Sequence, residues 1–291
     1  MKPLLILAPS PARWQAVEDL LSHEERLWLD DLRQRLVEGV DGSQDAFAVI
    51  PDGAQLLASA CIRRRHDVGV LGHLFTRPAH RQRGGARLLM QALLSWFDMT
   101  GGKWLYLAGP RSLAEGLFEK FGFRVLRRLE HGGQDRVTML RTPAHAGESP
   151  FENLTGRVEI RDVARADWAL LVALLQHHCG PDPRVSLEES ALAAEATALE
   201  LIAQQERRAC RLLVACRRDR IVGLGSVATD QIGHRTYAML LPHDRPPEGL
   251  REALLNFAGA QGYEQVDFPM AALAKEGNGT PIVGADEASP Q

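Results

Sequence analysis

The chain has 291 residues, with 34 Lys and Arg against 37 Asp and Glu, and a formal net charge of -3 at pH 7. Hydrophobic residues make up 45% and charged residues 24% of it, which is typical of a folded globular protein and excludes a disordered, fibrous or coiled-coil chain. The length allows two domains. No stretch approaches the roughly 18 uninterrupted apolar residues of a membrane span, so we expect no membrane association.

The charge distribution and the cysteines indicate which binding partners and which cellular compartment to expect. Residues 1–145 carry a net positive charge and residues 146–291 a net negative one. Neither half has the strong single-sign excess of a nucleic-acid binder, so we predict no nucleic-acid partner. The four cysteines lie far apart without a Cys-x-x-Cys pair, which predicts reduced thiols in the cytoplasm and no metal site. The first residues are expected to be mature protein rather than a secretory signal.

Hydrophobic periodicity and turn residues predict an alternating α/β order in the first half. The predicted elements are helices 12–21 and 23–38, strands 45–50, 54–64 and 67–76, helix 84–99, strand 103–108, helix 111–121, and strands 123–129 and 136–141. Helix 84–99 is the clearest, because its apolar residues recur at helical spacing and give it one buried face.

A stretch rich in Pro, Gly, Ser, Thr and Asn then separates the two halves. We predict a first domain over 1–143, a linker over 144–156, a second domain over 157–272 and a disordered tail over 273–291. In the second domain the predicted elements are strand 157–162, helices 165–178 and 185–208, strands 210–218, 220–229 and 235–241, helix 247–261 and strand 264–269. The order resembles that of the first half, which favours a duplication.

The most informative motif is Pro-Ala-His-Arg-Gln-Arg-Gly-Gly-Ala at 78–86, between a predicted strand and helix 84–99. Gly84 and Gly85 let the backbone approach a ligand closely, and Arg81, Arg83 and Arg87 add positive charge. The helix start presents unpaired N–H groups and the positive end of its dipole, so together these features predict a pyrophosphate site. The alternative is a strand-to-helix turn with solvated arginines.

With this motif the sequence resembles the GNAT acyltransferase superfamily. Its signature, Arg/Gln-x-x-Gly-x-Gly/Ala, is matched by 81–86, and its late Leu-Tyr-Glu-Lys-x-Gly-Phe element is similar to Leu-Phe-Glu-Lys-Phe-Gly-Phe at 117–123. The resemblance covers residues 4–141. It implies a mixed α/β (α+β) fold, with a central mixed sheet flanked by helices, and it implies acetyl-CoA as the acyl donor and an amine as the acceptor.

The resemblance also implies a role for each matched position. The strand residues Leu74, Phe75 and Thr76 would hold the pantetheine arm and the acyl carbonyl. The signature and the residue after it would hold the pyrophosphate: Arg81, Gln82, Arg83, Gly84, Gly85, Ala86 and Arg87. Arg111 and Phe118 occupy two further positions that contact CoA in the family. The amine would attack the thioester directly, with no covalent enzyme intermediate.

Two departures from the family pattern concern catalysis. Phe118 stands where the family usually has the tyrosine that acts as general acid, and a phenyl ring has no proton to give. Arg111 stands where an asparagine often precedes the same helix. The departing thiolate would then depend on water or on another group.

A base for the attacking ammonium is also required. His73 is the first candidate, because the resemblance places it on the strand that borders the donor and histidine titrates in the right range. The alternative is a solvent-facing histidine. His66, Asp67 and His80 are weaker candidates for the base. Glu24 and Glu25 lie on a helix that lines the acceptor site in the family; they could bind a cationic substrate or form a solvated face.

Other patterns receive structural interpretations. The run Arg63-Arg64-Arg65 is expected to be a solvated strand end, and His177-His178-Cys179 a helix end rather than a metal site. In the second half, His-Asp-Arg-Pro-Pro-Glu-Gly at 243–249 stands at the signature position. Two prolines there remove N–H donors and Glu248 adds negative charge, so we predict a degenerate GNAT-like domain that binds no acyl-CoA. It would cover the first domain, shape the acceptor groove or form a homodimer.

The sequence therefore favours an acyl-CoA-dependent N-acyltransferase that uses acetyl-CoA. The rival hypothesis is an acyl-CoA-binding regulatory or partner-binding protein that has lost transfer. A third is a structural module in which neither site binds a ligand. The acceptor stays open among small amines, amino acids, antibiotics and protein amines.

Overall fold

The computed structural model describes residues 2–131, 134–143, 149–152, 154–178, 194–229, 236–242, 246–262 and 266–267. These residues form two sheets with helices packed on them, a mixed α/β fold as predicted. In the described part of the chain no helix is long and apolar enough to cross a membrane.

The first half forms a seven-stranded mixed sheet with the order β1-β2-β3-β4-β5-β7-β6. Its strands are β1 Leu4–Leu7, β2 Gln44–Asp52, β3 Gln55–Arg65, β4 Val68–Thr76, β5 Trp104–Pro110, β6 Phe123–His131 and β7 Gln134–Arg141. Its α-helices are α1 Trp14–Leu20, α2 Arg26–Arg33, α3 Gly85–Met99 and α4 Arg111–Gly116. Only β4 and β5 pair in parallel, and α3 connects them.

The second half forms a five-stranded sheet with the order β12-β11-β10-β9-β8. Its strands are β8 Glu159–Asp162, β9 Cys210–Arg217, β10 Arg220–Thr229, β11 Thr236–Leu241 and β12 Val266–Asp267. Its described helices are α5 Trp168–His178, α6 Ala194–Glu206 and α7 Leu250–Ala260. The last two strands, β11 and β12, again pair in parallel around a connecting helix, here α7.

The element order of the first half recurs in the second. Helices α1 and α2 lie between the first two strands of one sheet, as α5 and α6 do in the other. Two antiparallel strand pairings follow, and then a parallel pair with one helix inserted. The recurrence holds at the level of topology, since each half buries its sheet under helices by the same connections.

Several predicted boundaries need correction. Strand β1 was missed, because a four-residue apolar run between prolines is too short to reveal a period. Predicted helix 23–38 begins at Arg26 and changes to a π-helical segment at Gln34–Glu38. Predicted helix 111–121 ends at Gly116 and a 3-10 turn follows at Phe118–Phe121. Predicted helix 185–208 is described only from Ala194, and the tail from 273 lies outside the described residues.

The largest apolar core is shared by the two halves. Val70 and Tyr106 of the first sheet belong to the same buried cluster as Leu171 and Leu174 of α5 and Ala198 of α6. The opposite face of the first sheet packs against α3. Helices α5 and α6 therefore cover the face that α3 leaves free, and the second half supplies part of the core of the first.

A buried ion cluster also joins the halves. Asp31 of α2 accepts hydrogen bonds from Arg35 at 2.8 Å, from Arg63 at 3.1 Å and from Arg165 of the second half at 3.0 Å. Burial by itself would raise the pKa of Asp31, but the guanidinium groups of Arg35 and Arg63 outweigh burial and the pKa is lowered. Asp45 adds a second carboxylate, 3.1 Å from Arg35.

The interpretation of Arg63-Arg64-Arg65 as a solvated strand end is therefore wrong. Arg63 is fully buried and Arg64 is 6% exposed. The reason is the place of β3 in the middle of the sheet, with helices on both faces. An arginine there needs a buried carboxylate, and α2 supplies Asp31.

Candidate active site

The start of α3 has the geometry of an anion site. Gly84 precedes the helix with φ of +80°, and no side chain caps the helix. The first carbonyl used within the helix is that of Gly84, which accepts from the Leu88 N–H at 3.2 Å. The amides of Gly85, Ala86 and Arg87 thus come before the first helical hydrogen bond, where N–H groups are available to a ligand.

Space and charge at this helix start suit a phosphate. A Cβ built on Gly84 would meet no heavy atom within 4 Å, so the approach to the helix end is open. Arg81, Arg83 and Arg87 are exposed, and among the described residues none of the three pairs with a carboxylate. Arg81 donates from Nε to the Thr76 carbonyl at 3.2 Å, which ties the loop to the end of β4. Gln82 between the arginines has a left-handed backbone, with φ of +61°.

Strand β4 carries a bulge at the residue predicted as the base. Ser59 pairs with Phe75 and Cys61 pairs with Gly72, so the two residues His73 and Leu74 lie opposite one residue of β3. His73 has φ of +51°, a left-handed conformation that is uncommon outside glycine. Bulges interrupt the ladder and redirect side chains, and they occur often beside functional sites.

Strands β4 and β5 separate after Val70 and Tyr106 and form a fork. Their parallel pairing runs over three residue pairs and ends at Val70 and Tyr106. Beyond it β4 stays paired with β3 as far as Thr76, and β5 stays paired with β7 as far as Pro110. The mouth of the fork therefore lies next to the start of α3. Backbone groups that face into the fork are available to an extended ligand arm.

His73 forms a pair with Glu24. Its Nδ1 lies 3.1 Å from Glu24 Oε1, and the ring lies edge-on to Trp28 at 5.4 Å between centroids. Burial lowers the pKa of His73, and the hydrogen bond from His73 lowers the pKa of Glu24. At neutral pH this combination is a neutral imidazole beside a carboxylate. The carboxylate can only accept, so Nδ1 carries the proton and Nε2 keeps a free lone pair.

The remaining predicted site residues are dispersed around the fork. Leu74 packs with the core under α3, while Phe75 faces the other core and lies 4.2 Å from His23 between ring centroids. Phe118 is buried, with its ring 5.9 Å from that of Phe123. Arg111 is exposed and bonds Glu115 at 2.6 Å and Asp135 at 3.0 Å. The Arg111 guanidinium is thus engaged by carboxylates of its own chain.

The weaker candidates do not join His73. Asp67 precedes β4 and pairs with Arg220 and Lys103, roughly 20 Å along the strand from His73. His66 lies in the same turn and accepts from Arg64 at its carbonyl. His80 belongs to the 3-10 turn Pro78–His80, in the loop between β4 and α3. Glu25 is exposed at the start of α2, so Glu24 is the carboxylate that reaches the site.

Further residues, which the sequence did not indicate, line the region beside His73 and the fork. Arg63 lies 3.5 Å above the Trp168 ring centroid and 5.3 Å from that of Trp28. Glu195 of α6 extends toward Arg63, with 3.8 Å between Oε2 and Nη2. The sequence could have indicated that Arg63 is buried, because a charged residue in the middle of a central strand needs a buried partner. No sequence pattern marks Glu195, because its approach to Arg63 depends on how the second half packs on the first.

No group of three or more His, Cys, Asp or Glu suited to a metal occurs in the described ranges. Cys179, which the sequence places beside His177 and His178, lies outside them. His177 instead shares a hydrogen bond of 2.8 Å with the Tyr106 hydroxyl.

Comparisons with known proteins agree with this geometry. Residues 14–123 match the model of the acetyltransferase (GNAT) family. No curated protein matches the sequence.

Solved structures resemble about half of the chain. The ribosomal-protein-S18-alanine N-acetyltransferase of Escherichia coli is 17% identical, with a TM-score of 0.40, and the match covers 53% of this chain and all of that one (100%). An acyl-CoA N-acyltransferase of Pseudomonas aeruginosa is 18% identical with a TM-score of 0.36, covering 48% and 100%. An aminoglycoside 6'-N-acetyltransferase complexed with coenzyme A is 16% identical with a TM-score of 0.38, covering 49% and 97%. Within this chain, residues 14–123 are therefore the part that is similar to the acetyltransferase (GNAT) family.

Proposed function

We propose that the protein is an acyl-CoA-dependent N-acyltransferase that transfers acetyl from acetyl-CoA to an amine. The observation that carries the proposal is the uncapped, glycine-initiated start of α3 beside the mouth of the β4–β5 fork. The family match over residues 14–123 supports the same reading.

The donor would bind across the two features. Its pyrophosphate would accept hydrogen bonds from the backbone of the loop and of α3, from Arg81 through Arg87. Its pantetheine arm would lie along β4 at Leu74, Phe75 and Thr76. The three exposed arginines add long-range attraction for a polyanion, which raises the association rate more than the specificity.

The reaction would be a direct transfer. The amine nitrogen bonds to the thioester carbon, and the carbonyl electron pair moves onto oxygen, where backbone N–H donors near the bulge stabilise it. The pair then returns and the C–S bond breaks, so CoA leaves as a thiolate. Placing both reactants in one fork supplies most of the rate enhancement.

The acceptor would attack as the neutral amine, after its ammonium form has released one proton to water, and His73 would accept the second proton, which the nitrogen loses as it bonds to the carbonyl carbon. Nε2 has the free lone pair, because Glu24 holds the proton on Nδ1. Nitrogen becomes far more acidic as it bonds to the carbonyl carbon, so a weakly basic imidazole suffices. Phe118 offers no proton to the thiolate, which would take one from water.

We also propose that the second half is a tandem, degenerate copy of the first. The recurrence of element order and of the parallel pair around one helix supports this. Its predicted lack of an acyl-CoA site would leave it a supporting role at the acceptor side of the fork.

The test is thiol release from acetyl-CoA over a panel of amines, with CoA binding measured by calorimetry on the same preparation. Turnover with any amine that falls in His73→Ala, at unchanged CoA affinity, supports the proposal. His80→Ala is the matched control and keeps full turnover. Absence of CoA binding, or wild-type turnover in His73→Ala, contradicts it.

The second candidate is an acyl-CoA-binding regulatory protein without transfer. The absence of a hydroxyl at Phe118 favours it. The same experiment separates the two, since this candidate binds CoA and releases no thiol with any amine.

A further inference from the structure

Glu195 of α6, from the second half, reaches the closed end of the fork. The backbone N–H of Ala108 on β5 lies close enough to the Glu195 carboxylate to lower the pKa of Glu195, although burial, the larger effect, raises that pKa. On the other side, Glu195 Oε2 lies 3.7 Å from the position that a Cβ on Gly72 of β4 would take. These two residues come directly after the last paired level of β4 and β5, two residues beyond Val70 and Tyr106. The carboxylate therefore lies where the strands begin to separate.

The approach of Glu195 is from the face opposite to α3. Helix α3 packs on the face that buries Leu71, Leu105 and Leu107. Helices α5 and α6 pack on the face that buries Val70 and Tyr106. A donor anchored at the start of α3 and a residue from α6 thus meet in the fork from opposite sides, as donor and acceptor must in a direct transfer.

The position of Glu195 is fixed by neighbours. The indole N–H of Trp168 donates to the Glu195 carbonyl at 3.1 Å, and Trp168 is itself buried under Arg63. The Glu195 side chain is only 16% exposed, and burial raises its pKa, an effect that the nearby Arg63 guanidinium opposes.

The Glu195 carboxylate has unused acceptor capacity. Arg63 Nη2 has no hydrogen-bond partner within the described part of the chain and stands 3.8 Å from Glu195 Oε2, too far for a hydrogen bond. Arg63 Nη1 donates a hydrogen bond to Asp31 Oδ2 at 3.1 Å. Arg63 therefore offsets the charge of the Glu195 carboxylate only in part, and a second cation in the fork could pair with this carboxylate.

We propose that Glu195 binds the ammonium group of the acceptor, and that the acceptor is an aliphatic primary amine with no carboxylate next to its reacting nitrogen. The inference rests on the proposed acyltransferase function. Glu24 and Glu195 both face this region, and each lies within electrostatic range of the other and of Arg63. Arg63 is fully buried between two indoles, and a substrate carboxylate that approached it would meet the carboxylates of Glu24 and Glu195. The second half thus supplies an acceptor-binding residue to the first.

The test compares Glu195→Gln with Glu200→Gln on three matched acceptor pairs: tyramine and tyrosine, phenethylamine and phenylalanine, cadaverine and lysine. Glutamine keeps an oxygen for the Ala108 N–H and removes the charge. Glu200 is exposed on the same helix and serves as the control. In the wild type, each amine is expected to exceed its amino acid in kcat/KM by at least about tenfold. Glu195→Gln is expected to raise KM for the amine by about tenfold with the Kd of CoA unchanged. Glu200→Gln is expected to change neither quantity.

Wild-type kinetics in Glu195→Gln, or amino acids that equal their amines, would overturn the inference and leave the proposed function standing. For acceptors that give no turnover, calorimetry on the protein–CoA complex compares the binding of each amine with that of its amino acid. If none of the amines binds, the inference about Glu195 is also overturned. A chain that binds no CoA contradicts the proposed function itself. Loss of CoA binding in Glu195→Gln would assign Glu195 to the donor site instead.

Discussion

Helices α3 and α7 start from the same backbone geometry in two different chemical settings. Each follows a glycine in the left-handed region, Gly84 with φ of +80° and Gly249 with φ of +79°. Each connects the parallel strand pair of its sheet. Neither has a side-chain cap.

The surroundings of the two glycines differ. Space around Gly84 is open, whereas a Cβ on Gly249 would stand 3.2 Å from Cδ1 of Ile160 on β8. Pro247, just ahead of α7, packs so closely on β10 that a Cβ on Gly223 would meet it at 2.5 Å. The three residues before Gly249, Pro-Pro-Glu, replace Arg-Gln-Arg before Gly84.

The comparison indicates that a helix start alone does not make a phosphate site. Both helices have a dipole, but the first amide of α7, at Leu250, already donates to the Pro247 carbonyl at 3.2 Å, whereas the start of α3 combines its dipole with open space and exposed arginines. At the start of α7, Ile160 lies close to Gly249. Glu248 adds a negative charge just before the helix, and Pro247 has no N–H to donate.

The largest expected effect comes from breaking the link between the halves. Asp31→Ala removes the carboxylate shared by Arg35, Arg63 and Arg165 and leaves their charges buried, so unfolding free energy should fall by about 3–5 kcal/mol. Denaturant unfolding measures this. The neighbouring Asp30 pairs with Arg26 on the surface, and Asp30→Ala should cost at most about 1 kcal/mol. Equal losses in the two variants would show that the cluster does not hold the halves together.

A matched pair of glycine substitutions tests the two helix starts. Gly84→Asp places a negative charge and a side chain where the pyrophosphate is expected, and should raise the Kd of acetyl-CoA by at least about tenfold, or about 1.4 kcal/mol. Gly84→Asn, isosteric and tolerant of positive φ, should raise it less, and the difference isolates the charge. Gly249→Asp should leave the Kd unchanged. An increase on Gly249→Asp as large as on Gly84→Asp would contradict the assignment of the donor to the first half.

A third prediction concerns the pH dependence of transfer. Burial lowers the pKa of His73, so kcat should rise with pH through a midpoint below the ordinary histidine value of 6.5 and then level off. The hydrogen bond that His73 donates to Glu24 opposes this lowering of the His73 pKa. Glu24→Gln should therefore move the midpoint to still lower pH and reduce the plateau, because the imidazole becomes a weaker base. Exposed Glu25→Gln is the control. A midpoint above 6.5, or a profile that Glu24→Gln does not move, would exclude His73 as the base.

The smallest expected effect is a gain. Phe118→Tyr restores a hydroxyl at the position where the family usually has its general acid, and should raise kcat by up to about tenfold without changing the Kd of acetyl-CoA. Phe121→Tyr in the same 3-10 turn is the control. Unchanged kcat in Phe118→Tyr would mean that position 118 does not reach the departing sulfur.

Local sequence signals predicted the position of α3 well, since the helix runs from Gly85 to Met99. The periodicity of 84–99 and the two glycines marked α3 and its start, because both features are set by residues adjacent in the chain. The buried cluster around Arg63, in contrast, depends on packing between distant segments. Asp31 and Arg35 looked like an ordinary pair on a helix, and Arg63 like a solvated residue, because only the tertiary structure brings them under Trp168. Glu195 reaches the fork from more than 80 residues beyond β5, with no motif around it.

We propose that the first half of the chain binds the acyl donor and that the second half does not. Calorimetric titration of the whole protein with acetyl-CoA gives the number of sites per chain. We expect one site per chain, weakened in Gly84→Asp and unaffected in Gly249→Asp. Two sites per chain, or a single site that responds to Gly249→Asp and not to Gly84→Asp, would contradict it.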